Sequence, residues 1–241
     1  MELTERQKNI LLAIIEEYME SAKEVGSVQL LDSKDFNVSS ATIRNEMVHL
    51  MDMGYLDKSH VSSGRMPTDM AFRFYVNEEA VKARPDSVRL VKIKQGIFRE
   101  RFSPEGLIQS ILHILVENSN AAAFVLMDDM SRHYGVSSLM NYEELHNLKS
   151  LQRILDLLED EDLLKSVFSK FDRDEVTVLI GSELGIRDLD DCTMLFTKLR
   201  MLDGRAGHMG IVGSRRINYR VAIPVLSAVR DSVQDALKAW N

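Results

Sequence analysis

Cysteine and tryptophan each occur once in 241 residues, proline four times, and aromatic residues make up only 7%. The lone Cys192 can close no intramolecular disulfide and supplies no thiolate cluster for zinc, which suits a reducing compartment. No stretch approaches the roughly 18 to 20 apolar residues of a membrane span, and the opening MELTERQKNI is charged where a secretory leader is greasy. These absences predict a cytoplasmic chain with no membrane partner. Motifs of catalysis are missing too. There is no HExxH and no glycine-rich phosphate loop, and His49, His60, His113, His133, His146 and His208 are scattered. The expectation is a non-enzyme with no catalytic residue, metal or cofactor. Asp188, Asp190 and Asp191 read as a solvated turn before a strand rather than a cation site. Excess positive charge is absent as well: the net charge is -7, which excludes a broad cationic surface that coats nucleic acid. Residues 1 to 84 hold ten Lys/Arg against fourteen Asp/Glu, so any DNA-reading face in that stretch must be local.

What is present is a chain 45% hydrophobic and 28% charged, ample for a folded core and two modest domains. Thr4 and Gln7 have the spacing of a capping box, followed by Ile10, Leu11, Ile14, Ile15 and Tyr18 at helical period. Glu24 to Gly26 break that pattern, and Ser27 opens a short second helix. A third helix runs from about Ala41 to Met53, with Ile43, Met47, Leu50 and Met51 inward and Ala41, Arg44, Asn45, Val48 and His49 outward. Gly54 ends it, Tyr55 and Leu56 begin a strand, and Ser62, Ser63 and Gly64 connect to Arg65 and Met66. Three helices and a hairpin make a winged helix-turn-helix arrangement.

Further on, charged residues 77 to 101 read as a helical connector. Ser103, Pro104 and Glu105 open a helix carrying Leu107, Ile108, Ile111, Leu112 and Leu115. Ala121 to Met127 reads as a buried strand. Two helices follow between Glu143 and Lys170, with Leu148, Leu151, Ile154, Leu155 and Leu158 inward. Strands are expected at Val176 to Ile180, Cys192 to Leu199 and His208 to Val212, the last two joined through Asp203 and Gly204, a strong hairpin signal. A final helix covers about Tyr219 to Trp240. The fold class is therefore α/β in the broad sense, α+β in arrangement.

A recognition helix works by placing its first turns in the major groove, where side chains read base edges and amides meet phosphates. In the segment from Ser39 to Met47, Ser39, Ser40 and Thr42 suit phosphate or backbone contacts, Arg44 suits guanine or a phosphate, and Asn45 suits adenine. An ordinary amphipathic helix with a serine cap and a solvated Arg-Asn face fits the same pattern. The loop from Ser59 to Pro67 can set His60, Ser62, Ser63 and Arg65 against a sugar-phosphate backbone or into a minor groove; taken alone, it fits an exposed hairpin loop better.

The stretches VSSATIRNEM and SGRMPTDMAFRFYV, within a nearly gap-free match from Leu3 to Val76, resemble the DNA-binding domain of the heat-inducible transcription repressor family HrcA. LEDEDLL, VTVLIGSELGI, DCTMLFTKL and GRAGHMGIVGSRRINY resemble its C-terminal part. Ser214 stands where that family usually has proline, and Ile217 and Asn218 where it has methionine and aspartate. Near Met127 to Tyr134 the family's further strands and inserted dimerising domain have no counterpart. The resemblance implies a winged helix over 1–76, a connector over 77–101 and a trimmed GAF-like domain over 102–241. It further implies repression of chaperone and chaperonin operons from an inverted-repeat operator on double-stranded DNA, release on heating, and support by a GroEL-type chaperonin. A homodimer is expected, built from the connector and from Val225, Val229, Val233 and Leu237 of the last helix. A trimmed C-terminal domain also predicts a smaller core there, opening first on warming. The alternative is a winged-helix regulator of other genes, controlled by a small ligand in the GAF-like domain.

Overall fold

The computed structural model describes residues 3–33, 36–60, 64–127, 130–171, 173–201 and 204–238. Its contacts gather into two compact units, residues 1–79 and 80–241.

In the first unit α1 spans Glu5–Ser21, α2 Ser27–Ser33 and α3 Ser40–Asp52. The capping box forms as its spacing dictates: Thr4 Oγ1 accepts from the Gln7 amide at 3.3 Å while the Thr4 amide donates to Gln7 Oε1 at 3.0 Å. Ile10, Leu11, Ile14 and Ile15 of α1 are wholly buried, together with Ile43 and Leu50 of α3. Strands β1 (Leu56–Asp57) and β2 (Met66–Pro67) pair antiparallel, Leu56 opposite Pro67. Val25 and Arg65 add an isolated antiparallel bridge to this ribbon, with bonds of 2.8 and 3.0 Å. That bridge requires Gly64, because a Cβ there would lie 2.8 Å from the Glu24 carbonyl carbon. Thr68 caps α4 (Asp69–Tyr75), whose Phe72 meets Tyr18 with ring centroids 6.2 Å apart.

The second unit contains α5 (Ser87–Arg99), α6 (Pro104–Ser119), α7 (Leu148–Glu159), α8 (Glu161–Phe168) and α9 (Tyr219–Lys238). Its strands are β3 (Ala122–Met127), β4 (Met130–Tyr134), β5 (Thr177–Ile180), β6 (Cys192–Arg200) and β7 (Ala206–Ser214), in one antiparallel sheet of order β4-β3-β7-β6-β5. The expected mixture of helix and sheet is present. Phe124, Gly210 and Phe196 stand in register across β3, β7 and β6. A side chain at Gly210 would sit 2.5 Å from the Phe124 ring, so the central strand is thinned to admit that ring. Phe168 of α8 covers it, stacking on Phe124 at 5.8 Å and on His208 at 4.4 Å. Helices α5, α6 and α9 pack on one another, with α6 against β3 and α9 against β6.

Several expectations fail here. β4 occupies the place where no strand was expected; its residues are exposed or half-buried at the sheet edge, so no apolar alternation announced it. Leu148 and Leu155 of α7 point outward, 81% and 36% exposed, while Leu157 takes an inward place. Residues 143–145 form a separate 3-10 turn ahead of α7, which shifts the buried stripe. Val225, Val229 and Val233 of α9 are buried inside their own unit, and the side chain of Leu237 lies outside the described residues, as does Asp203. Those valines cannot build a dimer, because α5, α6 and β6 already cover the helix. Most buried apolar side chains belong to residues 80–241, so the premise of a smaller C-terminal core is not met. The expected connector is also more than a tether: Ile93 and Ile97 of α5 are buried in the second unit.

Candidate nucleic-acid interface

Helix α3 begins at Ser39, whose extended backbone and side chain make it the N-cap. Its Oγ accepts from the Thr42 amide at 3.2 Å and lies 3.0 Å from Thr42 Oγ1. The two hydroxyls share one hydrogen bond, and Ser39 is exposed while Ser40 and Thr42 are half-buried. The exposed cap sits at the amino end of a 13-residue helix, where the positive end of the dipole favours an anion.

Along α3 the periods separate cleanly. Ile43, Glu46, Met47 and Leu50 are buried, whereas Ala41, Arg44, Asn45, Val48, His49 and Asp52 are exposed. Met51, expected inside, is only half-buried. Sequence reasoning gave Glu46 no role, yet this residue fixes the helix. Its side chain is 8% exposed and receives Arg6 Nε at 2.7 Å and Gln7 Nε2 at 3.1 Å. Its charge is turned beneath the helix and neutralised by Arg6 of α1. The only sequence signal was its position, three residues from Ile43 and four from Leu50, on the inward stripe.

His60 is exposed and Arg65 half-buried. The Arg65 backbone is held by the Val25 bridge, and its guanidinium Nη1 donates to the Gly64 carbonyl at 3.1 Å. The Ser59 amide donates to Glu24 Oε1 at 2.9 Å, which ties the base of the ribbon to the segment before α2. Ser62 and Ser63 lie outside the described residues. The structure thus gathers Ser39, Ser40, Thr42, Arg44 and Asn45 onto the first turns of one helix and puts His60 and Arg65 on the ribbon of the same unit.

Elsewhere the polar clusters are structural. Arg216, with an 8% exposed side chain, grips Glu144 through Nε at 2.8 Å and Nη2 at 2.9 Å. Ser214 Oγ donates to the same carboxylate and accepts from the Arg216 amide at 3.0 Å; a proline there could not donate to the carboxylate. Burial alone would raise the pKa of Glu144, but the donors of Arg216 and Ser214 and the Arg216 charge outweigh it and hold the carboxyl below its usual value. Asp191 pairs with Arg215 at 3.1 Å, and among the described residues no group of three or more His, Cys, Asp or Glu is placed to hold a metal ion. Burial, with Asp191, Glu144 and Asp190 nearby, pushes the Cys192 thiol up to about 12. No helix among the described residues is long and apolar enough to cross a membrane.

The family model of the HrcA protein C-terminal domain matches residues 39–223. The chain belongs to the HrcA family. Among its relatives, the heat-inducible transcription repressor HrcA of Clostridium tetani is 27% identical, the match covering 100% of this chain and 97% of that protein. The heat-inducible transcription repressor HrcA of Desulforamulus reducens is 24% identical, with 98% of each chain covered. The Clostridium tetani alignment extends over 345 positions against 241 residues here. Interior positions of that HrcA therefore have no counterpart in this chain, which is the shortening expected from the sequence. The crystal structure of a hypothetical protein at 2.2 Å resolution shares the HrcA member's fold, with a TM-score of 0.80 at 18% identity and full coverage of both chains.

Proposed function

We propose that this HrcA family member is a transcription repressor whose first unit is a winged helix-turn-helix and whose second is a trimmed GAF-like domain. The observation that carries the reading is α3. One stripe of it is buried under α1, its central carboxylate Glu46 is neutralised inside, and the opposite stripe offers Arg44 and Asn45 beyond a serine-capped amino end. Arg44 reads guanine or a phosphate, Asn45 reads adenine, and Ser39, Ser40 and Thr42 meet the backbone. His60, Ser62, Ser63 and Arg65 of the wing meet the backbone of the same half-site.

One such head covers a half-site only. The first 84 residues carry more acid than base, so useful affinity needs two heads on an inverted repeat, hence a homodimer. With the α9 valines buried, the outer face of α5, where Val88, Val91 and Phe98 are exposed, is the surface assigned to that dimer. Release on heating follows the relatives' name of heat-inducible transcription repressor; chaperone and chaperonin operons as targets, and help from a GroEL-type chaperonin, are what the resemblance of the sequence implies.

The test is selection of bound duplexes from a random pool by the full chain. A palindromic consensus with half-sites a whole number of helical turns apart is expected. Enrichment of a single unpaired motif would overturn the dimeric reading, and no enrichment at all would overturn DNA recognition.

A further inference from the structure

Helix α3 exposes Ala41, Arg44, Asn45, Val48, His49 and Asp52. Val48 alone among them is a sizeable apolar side chain, and it is 38% exposed. Valine is an unfavourable choice for an exposed helix interior, because its branched Cβ loses rotamer freedom against the preceding turn. It lies off the core stripe of α3, which is Ile43, Met47 and Leu50. A side chain that costs helix stability and stays outside the core is explained by a surface that covers it.

We infer that Val48 packs against the 5-methyl group of a thymine and so determines specificity at one base pair of each half-site. The inference rests on the reading of α3 as a recognition helix. The major groove offers one apolar feature, the thymine methyl, and apolar side chains are its natural partners. Spacing agrees. Val48 follows Asn45 by three residues and Arg44 by four, one helical turn on the same face and about 4.5 to 6 Å along the axis. That distance is between one and two base-pair steps at about 3.4 Å each. The thymine should lie that far along the groove from the base read by Arg44 or Asn45. Asp52, one turn further, repels phosphates and closes the contact on that side.

The experiment uses the full chain and the consensus duplex recovered by selection, with each thymine replaced in turn by uracil, which removes only the methyl. At one symmetry-related pair of thymines per operator, uracil should weaken binding about fourfold per half-site, the worth of one desolvated methyl. Val48→Ala should weaken binding to the thymine duplex by a similar factor, with a melting temperature no lower than the parent's, and should abolish the difference between thymine and uracil at that position only. Equal discrimination by Val48→Ala and the parent at every thymine would overturn the assignment while leaving α3 as the reading helix. Failure of the parent chain to select any duplex would instead remove the reading on which it rests.

Discussion

Replacing Glu144 by glutamine keeps its volume and removes its charge, leaving the Arg216 guanidinium in a site where only 8% of its side chain meets solvent. Stripping one partner from a buried ion pair costs about 3 to 5 kcal/mol. Glu144 itself is 21% exposed, so water can reach part of the vacated site and the expected loss is nearer 2 to 3 kcal/mol. In a chain of this size that lowers the melting temperature by about 4 to 12 °C. Pairing Glu144→Gln with Arg216→Met should recover most of the loss, because an absent pair is cheaper than half of one. The pH dependence follows from the direction of the shift. The folded carboxyl holds its proton less tightly than the unfolded one. Its contribution is therefore complete above the ordinary glutamate range, about 4, and disappears as pH falls through the lowered folded value. Scanning calorimetry of parent and Glu144→Gln should show the widest gap near pH 7 and convergence in acid. A gap under about 1 °C at neutral pH, or one that is the same at both ends of the series, would show that the pair holds nothing together.

Arg44→Ala and Asn45→Ala should each weaken operator binding by about 1 to 3 kcal/mol without changing the melting temperature; equal losses on random DNA would contradict base readout. Gly64→Ala should force the Val25 bridge apart, since the added carbon meets backbone at 2.8 Å, and the Val25 and Arg65 amides should lose exchange protection while α1 keeps its own. Retained protection at both would show that the ribbon accommodates the methyl. On heating, amides of α1 to α3 should exchange before those of β6 and β7, because the larger apolar core lies in residues 80–241. The reverse order would put the heat response in the second unit.

The sequence was most readable where local physics decides the outcome. The Thr4–Gln7 cap, the inward stripe of α3 apart from Met51, and the β6–β7 hairpin depend on residues a few positions apart, and each formed where its pattern placed it. The outward positions of Arg44 and Asn45 followed from the same helical period. Hidden features all depend on distant partners. Glu46 meets Arg6 across 40 positions and Arg216 meets Glu144 across 72, and no local pattern encodes such pairs. The valines of α9 form a stripe that reads equally as a core face or an interface; only the packing of α5, α6 and β6 against it decides. β4 is an edge strand of mostly polar residues, MSRHY, held by pairing to β3 rather than by its own alternation.

The solitary thiol on β6 gives the molecule a natural reporter. With its pKa pushed up to about 12, the sulfur stays protonated at pH 7, and Cys192 is fully enclosed. An alkylating reagent can reach it only when the strand parts from its neighbours, so the labelling rate of the unaltered protein counts openings of the sheet. An oxidant meets the same barrier. While the sheet stays closed, peroxide leaves this sulfur untouched, and any response routed through it requires thermal opening first.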